Sequence, residues 1–119
     1  QVLAARAAFD QASRVFDLFF ADYDMLLSPV TAAPAPKLGA LSLSQPYDDY
    51  VKAAMMAPPF MAMFNMSGHP AMTVPLYWNA AGMPLGAQFA TAYGGEARLL
   101  ALAAQLEKAA PWADHRPKL

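Results

Sequence analysis

The sequence contains no cysteine, which excludes disulfides, a zinc–thiolate site and a thiol nucleophile. Its two histidines, His69 and His115, have no histidine or carboxylate partner at the spacing of a metal motif, so we expect neither a metal site nor a cofactor. No apolar run reaches the roughly 18 residues of a membrane span. The eight lysine and arginine residues are scattered, so nucleic acid is not an expected partner. The lack of cysteine is compatible with the cytoplasm, where we expect the protein.

Charge is also scarce. Charged residues make up 14% of the 119 residues and hydrophobic residues 57%, whereas typical soluble domains have about 25% and ~45–50%. A small domain has much surface for its volume and needs more polar residues, not fewer. Either alanine covers the surface, or part of the chain is buried against polypeptide outside these residues, which we favour. Gln1 leads directly into helical periodicity, so we expect a portion of a longer protein.

The hydrophobic spacing predicts helices at both ends of the chain and a broken helix in the middle. Apolar residues three and four apart predict helices over residues 2–21 and from Glu96 to about Ala110. The broken helix opens near Pro46, is interrupted by the pair Pro58-Pro59, resumes over residues 60–66 and ends at Gly68.

Three strands complete the predicted α/β pattern. Residues 25–30 form an apolar run that we expect to be buried on both faces, which implies neighbouring strands from elsewhere. Residues 73–77 and 85–91 are predicted to form an antiparallel pair, because the turn signal of residues 79–82 lies between them. Three strands make a thin sheet, so we expect the fold to be incomplete on its own.

The serines do not predict a nucleophile. None of the five, Ser13, Ser28, Ser42, Ser44 and Ser67, lies in a glycine-rich nucleophile turn. Ser67 is the one candidate because His69 is close in sequence. We expect that a histidine so near cannot fold back onto the serine, and that Ser67 makes local backbone bonds at a helix end. The sequence therefore predicts no catalytic residue in this chain.

Methionines cluster around the broken helix, and two interpretations remain open for them. The cluster consists of Met55, Met56, Met61, Met63, Met66 and Met72. Methionine packs adaptably in cores, but an apolar helix broken by proline can also line the edge of a cavity. The residues alone do not distinguish a core from the wall of an apolar pocket.

Glycines and prolines in a regular order carry the most specific pattern. They are Gly68, Pro70 and Pro75 after Asn65, then Gly82, Pro84 and Gly86 before Gln88, and finally Glu96 at a helix start. This succession resembles the C-terminal part of amidase-signature enzymes, whose pattern runs N-x-x-G-x-P-x-x-x-x-P, then G-x-P-x-G-x-Q, then a helix opening near Glu. The resemblance covers nearly the whole chain.

The resemblance implies that residues 1–119 form the C-terminal portion of the amidase-signature fold, a mixed sheet covered by helices. In that family a Ser–cis-Ser–Lys triad in an upstream Gly/Ser-rich core hydrolyses amides. No such stretch occurs here, so no catalytic residue is carried over and the chain alone is expected to be inactive. The implied partners are the remainder of the amidase chain and a small-molecule amide, and a homo-oligomer of the full enzyme is compatible with this.

The family also places a wall of the substrate pocket in this segment. Matched by their offset from Asn65, the wall residues are Pro58, Met61 and Ala62. Their apolar character implies an uncharged or aliphatic substrate portion. Residues 51–68 contain no acidic residue, which favours hydrolysis of linear or cyclic amides over glutaminyl-tRNA amidotransfer. The alternatives are a non-catalytic interaction module that binds a partner through its apolar surface, and a small domain unrelated to amide chemistry.

Overall fold

The computed structural model describes residues 1–56 and 59–116, and within them four helices and three strands follow one another. The elements are α1 (Val2–Asp22), β1 (Leu26–Pro29), α2 (Tyr47–Met56), α3 (Ala62–Ser67), β2 (Ala71–Trp78), β3 (Pro84–Ala90) and α4 (Glu96–Ala109). The predicted order of elements is confirmed, and α3 begins two residues later than its apolar run because Met61 still lies in the preceding turn.

Strand β3 is the centre of the sheet and pairs antiparallel with β1 on one side and β2 on the other. In this register Ser28, Gln88 and Thr73 form one row across the three strands. Pro75 lies where the register shifts between Val74 and Tyr77. A proline is tolerated there because the ladder is interrupted and needs no donor.

Two glycines shape the sheet and its entry, and the helix end at Gly68 is as the sequence predicts. Gly68 ends α3 in the left-handed conformation, with φ 77°, and its N–H bonds to the Phe64 carbonyl. Gly86 lies where strands pack too closely for a side chain. A Cβ at this position would lie 2.7 Å from a Val30 methyl group and 2.8 Å from a Thr73 methyl group.

Strand β1 has one face exposed within these residues. Its burial alternates along the strand, and Leu27 is 66% exposed. Burial of both faces against strands from elsewhere stays a prediction. Within the described part of the chain β1 is also an edge strand, since it pairs only with β3.

The core is sparse for a chain of this length. Among the described residues the buried hydrophobic side chains are Phe64, Val74, Ala90 and Leu99, and α1 has no buried residue. The accessible surface is 8954 Å², whereas a compact monomer of 12.8 kDa exposes about 6,300 Å². The molecule measures 46 × 45 × 17 Å, so it is a thin slab.

Candidate functional site

Met61 and Ala62 are exposed at the start of α3, where side chains are free to contact a ligand. Met61 closes the turn before the helix with helical backbone angles, φ −77° and ψ −32°. Its carbonyl accepts the N–H of Asn65 at 3.3 Å, which is the first bond of the helical turn. Pro58, the third expected wall residue, lies outside the described residues.

Gln88 ties this turn to the centre of the sheet. The side chain belongs to β3 and only 4% of the residue is exposed. Its Nε2 donates to Ser28 Oγ at 3.1 Å and to the Phe60 carbonyl at 3.3 Å. A carboxamide nitrogen has two hydrogens, so both donors are used. The backbone immediately before Met61 is thereby fastened to β1 and β3 through one buried side chain.

A second polar group, the His69 cluster, consists of His69, Ser67, Asp17, Tyr93 and Ser13. His69 Nδ1 lies 3.2 Å from Ser67 Oγ. The prediction that this histidine cannot fold back onto the serine is therefore wrong, and the bond of the serine side chain is to the imidazole instead of the backbone. The left-handed backbone of Gly68 turns the chain so that the side chains on either side of it meet.

The other imidazole nitrogen reaches across the molecule. His69 Nε2 lies 3.2 Å from Asp17 Oδ1 in α1. An ionised carboxylate only accepts hydrogen bonds, so in the neutral imidazole Nε2 carries the hydrogen and Nδ1 accepts from the Ser67 hydroxyl. The ring is enclosed by aromatic rings, with centroids 4.1 Å away for Tyr93, 5.3 Å for Phe20 and 5.7 Å for Phe16.

This serine, histidine and carboxylate do not form a hydrolytic site. Ser67 is 4% exposed, so a substrate carbonyl has no access to its Oγ. The carbonyl oxygen of Ser67 accepts a hydrogen bond from the Tyr93 hydroxyl. Because that phenol donates to Ser67, Ser13 Oγ, 3.0 Å away, donates to the phenol oxygen. The cluster therefore fastens α1 to the end of α3 and to the residues after β3.

The sequence offers one weak signal for the His69 cluster. Ser13 and Asp17 lie one helical turn apart beside the apolar stripe of α1. Polar side chains at that spacing, next to an apolar stripe, are placed to hydrogen-bond with buried polar groups of another helix or strand. Nothing in the local sequence identifies those partners as His69 and Tyr93, because the contacts join residues 52 and 80 positions apart.

An apolar cleft of about 240 Å³ lies between the proline-rich loop after β1 and helix α2. It is lined by Thr31, Ala33, Pro34, Pro36, Leu41 and Ala53.

Among residues 1–56 and 59–116, no three His, Asp or Glu side chains come together as a metal site would require. None of the helices in this part of the chain has the length and hydropathy to cross a membrane.

Comparison with known proteins gives consistent matches. The Amidase family profile matches residues 2–100. The 6-aminohexanoate-cyclic-dimer hydrolase of Paenarthrobacter ureafaciens is 36% identical over 114 residues, which are 91% of this chain and 23% of that protein. The putative amidase AmiC of Mycobacterium leprae is 42% identical over 95 residues, which are 80% of this chain and 20% of that protein. The chain thus spans about a fifth to a quarter of the length of these relatives.

Solved structures agree with this. A 6-aminohexanoate cyclic dimer hydrolase complexed with substrate matches with a TM-score of 0.78 and 35% identity over 90% of this chain and 23% of that one. A Glutamyl-tRNA(Gln) amidotransferase subunit from Thermotoga maritima matches with a TM-score of 0.71 over 97% of this chain and 24% of that one. At 21% identity, this second likeness shows the fold alone.

Proposed function

The chain belongs to the amidase family, and from this premise we propose that it is the C-terminal part of an amide-bond hydrolase. Its role is to complete the fold and to supply a wall of the substrate pocket. The nucleophilic serine, the bridging serine and the lysine belong to a preceding segment of the same protein, as the family resemblance implies. The chain alone is inactive in this proposal.

The exposed surface is the observation that carries the proposal. The 8954 Å² of accessible surface exceeds the expectation for a compact monomer of this mass by about 2,700 Å². A standard protein interface buries only about 800 Å² on each partner. Much of the exposed area is apolar, since Val2, Leu3 and Leu18 of α1 are each more than 70% exposed. Such a surface suits burial against a larger body of the same protein.

The reaction proposed for the whole protein is acyl transfer to a serine followed by hydrolysis. The serine oxygen attacks the amide carbonyl, and the lysine, acting through the second serine, takes the serine proton and delivers a proton to the leaving amine. Water then cleaves the acyl-enzyme. The contribution of this chain is an apolar wall at Met61 and Ala62, which excludes water from the substrate and fixes its orientation.

The proposed substrate is an aliphatic amide, linear or cyclic. Met61 and Ala62 are uncharged and exposed, so they suit methylene groups and not a charged amino-acid head. The similarity to 6-aminohexanoate-cyclic-dimer hydrolases points the same way, because such a cyclic dimer presents amide bonds between aliphatic chains. The fold-level likeness to a protein of tRNA amidotransfer carries no argument about substrate.

The test uses the complete gene product and three substrates: 6-aminohexanoate cyclic dimer, a linear aliphatic amide and glutamine. We expect hydrolysis of an aliphatic amide in preference to glutamine. Met61→Asp should lower kcat/KM for that amide about tenfold or more, because a carboxylate in an apolar site is strongly disfavoured. Ala62→Asp should also lower kcat/KM for that amide.

Met66→Asp is the matched control, since Met66 lies in α3, the helix that follows Met61, and is 41% exposed, close to the 37% of Met61. It should change kcat/KM less than about twofold if the pocket wall is local to residues 61 and 62. An equal loss of kcat/KM in Met61→Asp and Met66→Asp would contradict the assignment of Met61 to the wall of the substrate pocket. A folded complete protein that hydrolyses no amide but retains a tight protein partner would replace the hydrolase proposal with the interaction module.

A further inference from the structure

We propose that Gln88 is a positioning residue that fixes the pocket wall at Met61 and Ala62 and thereby sets the length of aliphatic substrate that the site accepts. The inference rests on the proposed function and extends it to a side chain that contacts no substrate. It starts from the two hydrogen bonds of the buried carboxamide to Ser28 Oγ and to the Phe60 carbonyl.

Gln88 donates a side-chain hydrogen bond to the turn before α3. Helix α3 is six residues long, which is too short to be stable through its own backbone bonds. The helical bonding begins at the Met61 carbonyl, so the Phe60 carbonyl lies just outside it. Pro59 has no N–H to donate. Among residues 1–56 and 59–116, the bond from Gln88 is the side-chain hydrogen bond that the Phe60 carbonyl accepts, directly before the proposed pocket wall.

Gln88 is itself held rigidly. It lies in the central strand, between Ser28 of β1 and Thr73 of β2 in the register. The residue is 4% exposed, so water does not compete for its amide hydrogens. Ser28 Oγ accepts one of them and the Phe60 carbonyl accepts the other. Because the Gln88 side chain is held in the sheet, its bond to the Phe60 carbonyl fixes the position of the turn relative to the sheet.

Gln88 should therefore influence which substrate the site prefers, although it lies in the sheet and contacts no substrate. If the Phe60 carbonyl is released, residues 59–61 are free to adopt other turn geometries, and the Met61 side chain moves with them. One methylene group more or less in an apolar pocket changes kcat/KM by about 10- to 200-fold. A small displacement of the wall should therefore alter the preference between substrates that differ by one methylene group.

The test compares Gln88→Met with Ser28→Ala in the complete gene product. The methionine variant keeps the length and volume of glutamine but removes both donors, whereas the alanine variant removes one acceptor and leaves the bond to Phe60. The readout is the ratio of kcat/KM for two aliphatic amides that differ by one methylene group. We expect the methionine variant to shift this ratio about fivefold or more and Ser28→Ala to shift it less than about twofold.

Met61→Ala provides the mechanistic control. If Gln88 acts through Met61, the effect of Gln88→Met on the ratio should largely disappear in the Met61→Ala background, because the two residues then act as one unit. Independent, additive effects would overturn the inference. So would an unchanged ratio in a folded Gln88→Met variant, or equal shifts from the Gln88 and Ser28 variants, which would mean that both residues only fasten the sheet.

Hydrogen exchange separates this inference from the hydrolase proposal. The amide of Asn65, which donates to the Met61 carbonyl, should exchange about tenfold faster in Gln88→Met than in Ser28→Ala or the parent protein. Equal exchange in all three would overturn the inference whether or not the protein hydrolyses amides. A parent protein without amidase activity overturns the proposed function alone. If Gln88→Met does not fold, Gln88→Asn replaces it in both measurements, the kcat/KM ratio and hydrogen exchange. Asparagine keeps the carboxamide but is one methylene group too short to make both bonds.

Discussion

His69 Nε2 lies 3.2 Å from Asp17 Oδ1, although 52 positions separate the two residues. The imidazole side chain is fully buried, whereas the carboxylate is 52% exposed. The hydrogen bond therefore joins α1 to the residues just before β2, and its carboxylate end lies at the surface. Because one partner is buried and the other is hydrated, the two ends of the contact should respond very differently to substitution.

His69→Leu should destabilise the complete protein by about 2–4 kcal/mol. The change removes two hydrogen bonds and the aromatic contact with Tyr93, and it leaves the buried Ser67 hydroxyl without its partner. Asp17→Asn should cost less than about 1 kcal/mol, since the amide oxygen still accepts and the group is half hydrated. Denaturant unfolding measures both, and a larger loss at Asp17 than at His69 would refute this account of the cluster.

Ser67→Ala should leave amide hydrolysis intact. Ser67 is buried and bonded to His69, away from any surface that a substrate reaches. We expect kcat/KM within about threefold of the parent, with a stability loss of about 1–3 kcal/mol from the unpaired imidazole nitrogen. Steady-state kinetics well below the unfolding temperature check this. A thousandfold loss in a folded variant would make Ser67 a nucleophile after all.

Gly86→Ala should destabilise the protein by about 1–3 kcal/mol through overpacking. The new methyl group would lie 2.8 Å from a Thr73 methyl group and 2.7 Å from a Val30 methyl group. Thr73→Ser removes one of those methyl groups, so it should recover part of the loss when the two changes are combined. Thermal unfolding of the single and double variants provides the measurement. Strict additivity would show that the close approach to Thr73 is not what excludes a side chain.

Local structure is readable from the sequence where one residue decides the backbone. Gly68 predicts the left-handed end of α3, because glycine adopts that conformation without steric cost. Asn79 and Gly82 predict the turn before β3, and Asn79 Oδ1 indeed accepts the N–H groups of Ala81 and Met83. Close packing at Gly86 follows from a glycine inside a strand.

The contacts that build the candidate site are not readable in this way. Gln88 meets the Phe60 carbonyl 28 positions away, and hydrophobic periodicity carries no information about such a pairing. Closeness in sequence argues against the contact between His69 and Ser67, but the reversal at Gly68 is also a turn that brings its neighbours together. The apolar run of β1 shows what the strand is suited to bury but does not identify the segment that would cover its exposed face.

The most direct test of the central claim is an assay of the isolated 119 residues beside the complete gene product, with 6-aminohexanoate cyclic dimer and a linear aliphatic amide as substrates. The account predicts that the complete protein hydrolyses an aliphatic amide and that the isolated chain, at equal concentration, hydrolyses neither, because its surface is left uncovered and the nucleophile lies elsewhere. Turnover by the purified isolated chain at a rate comparable with the complete protein would contradict it.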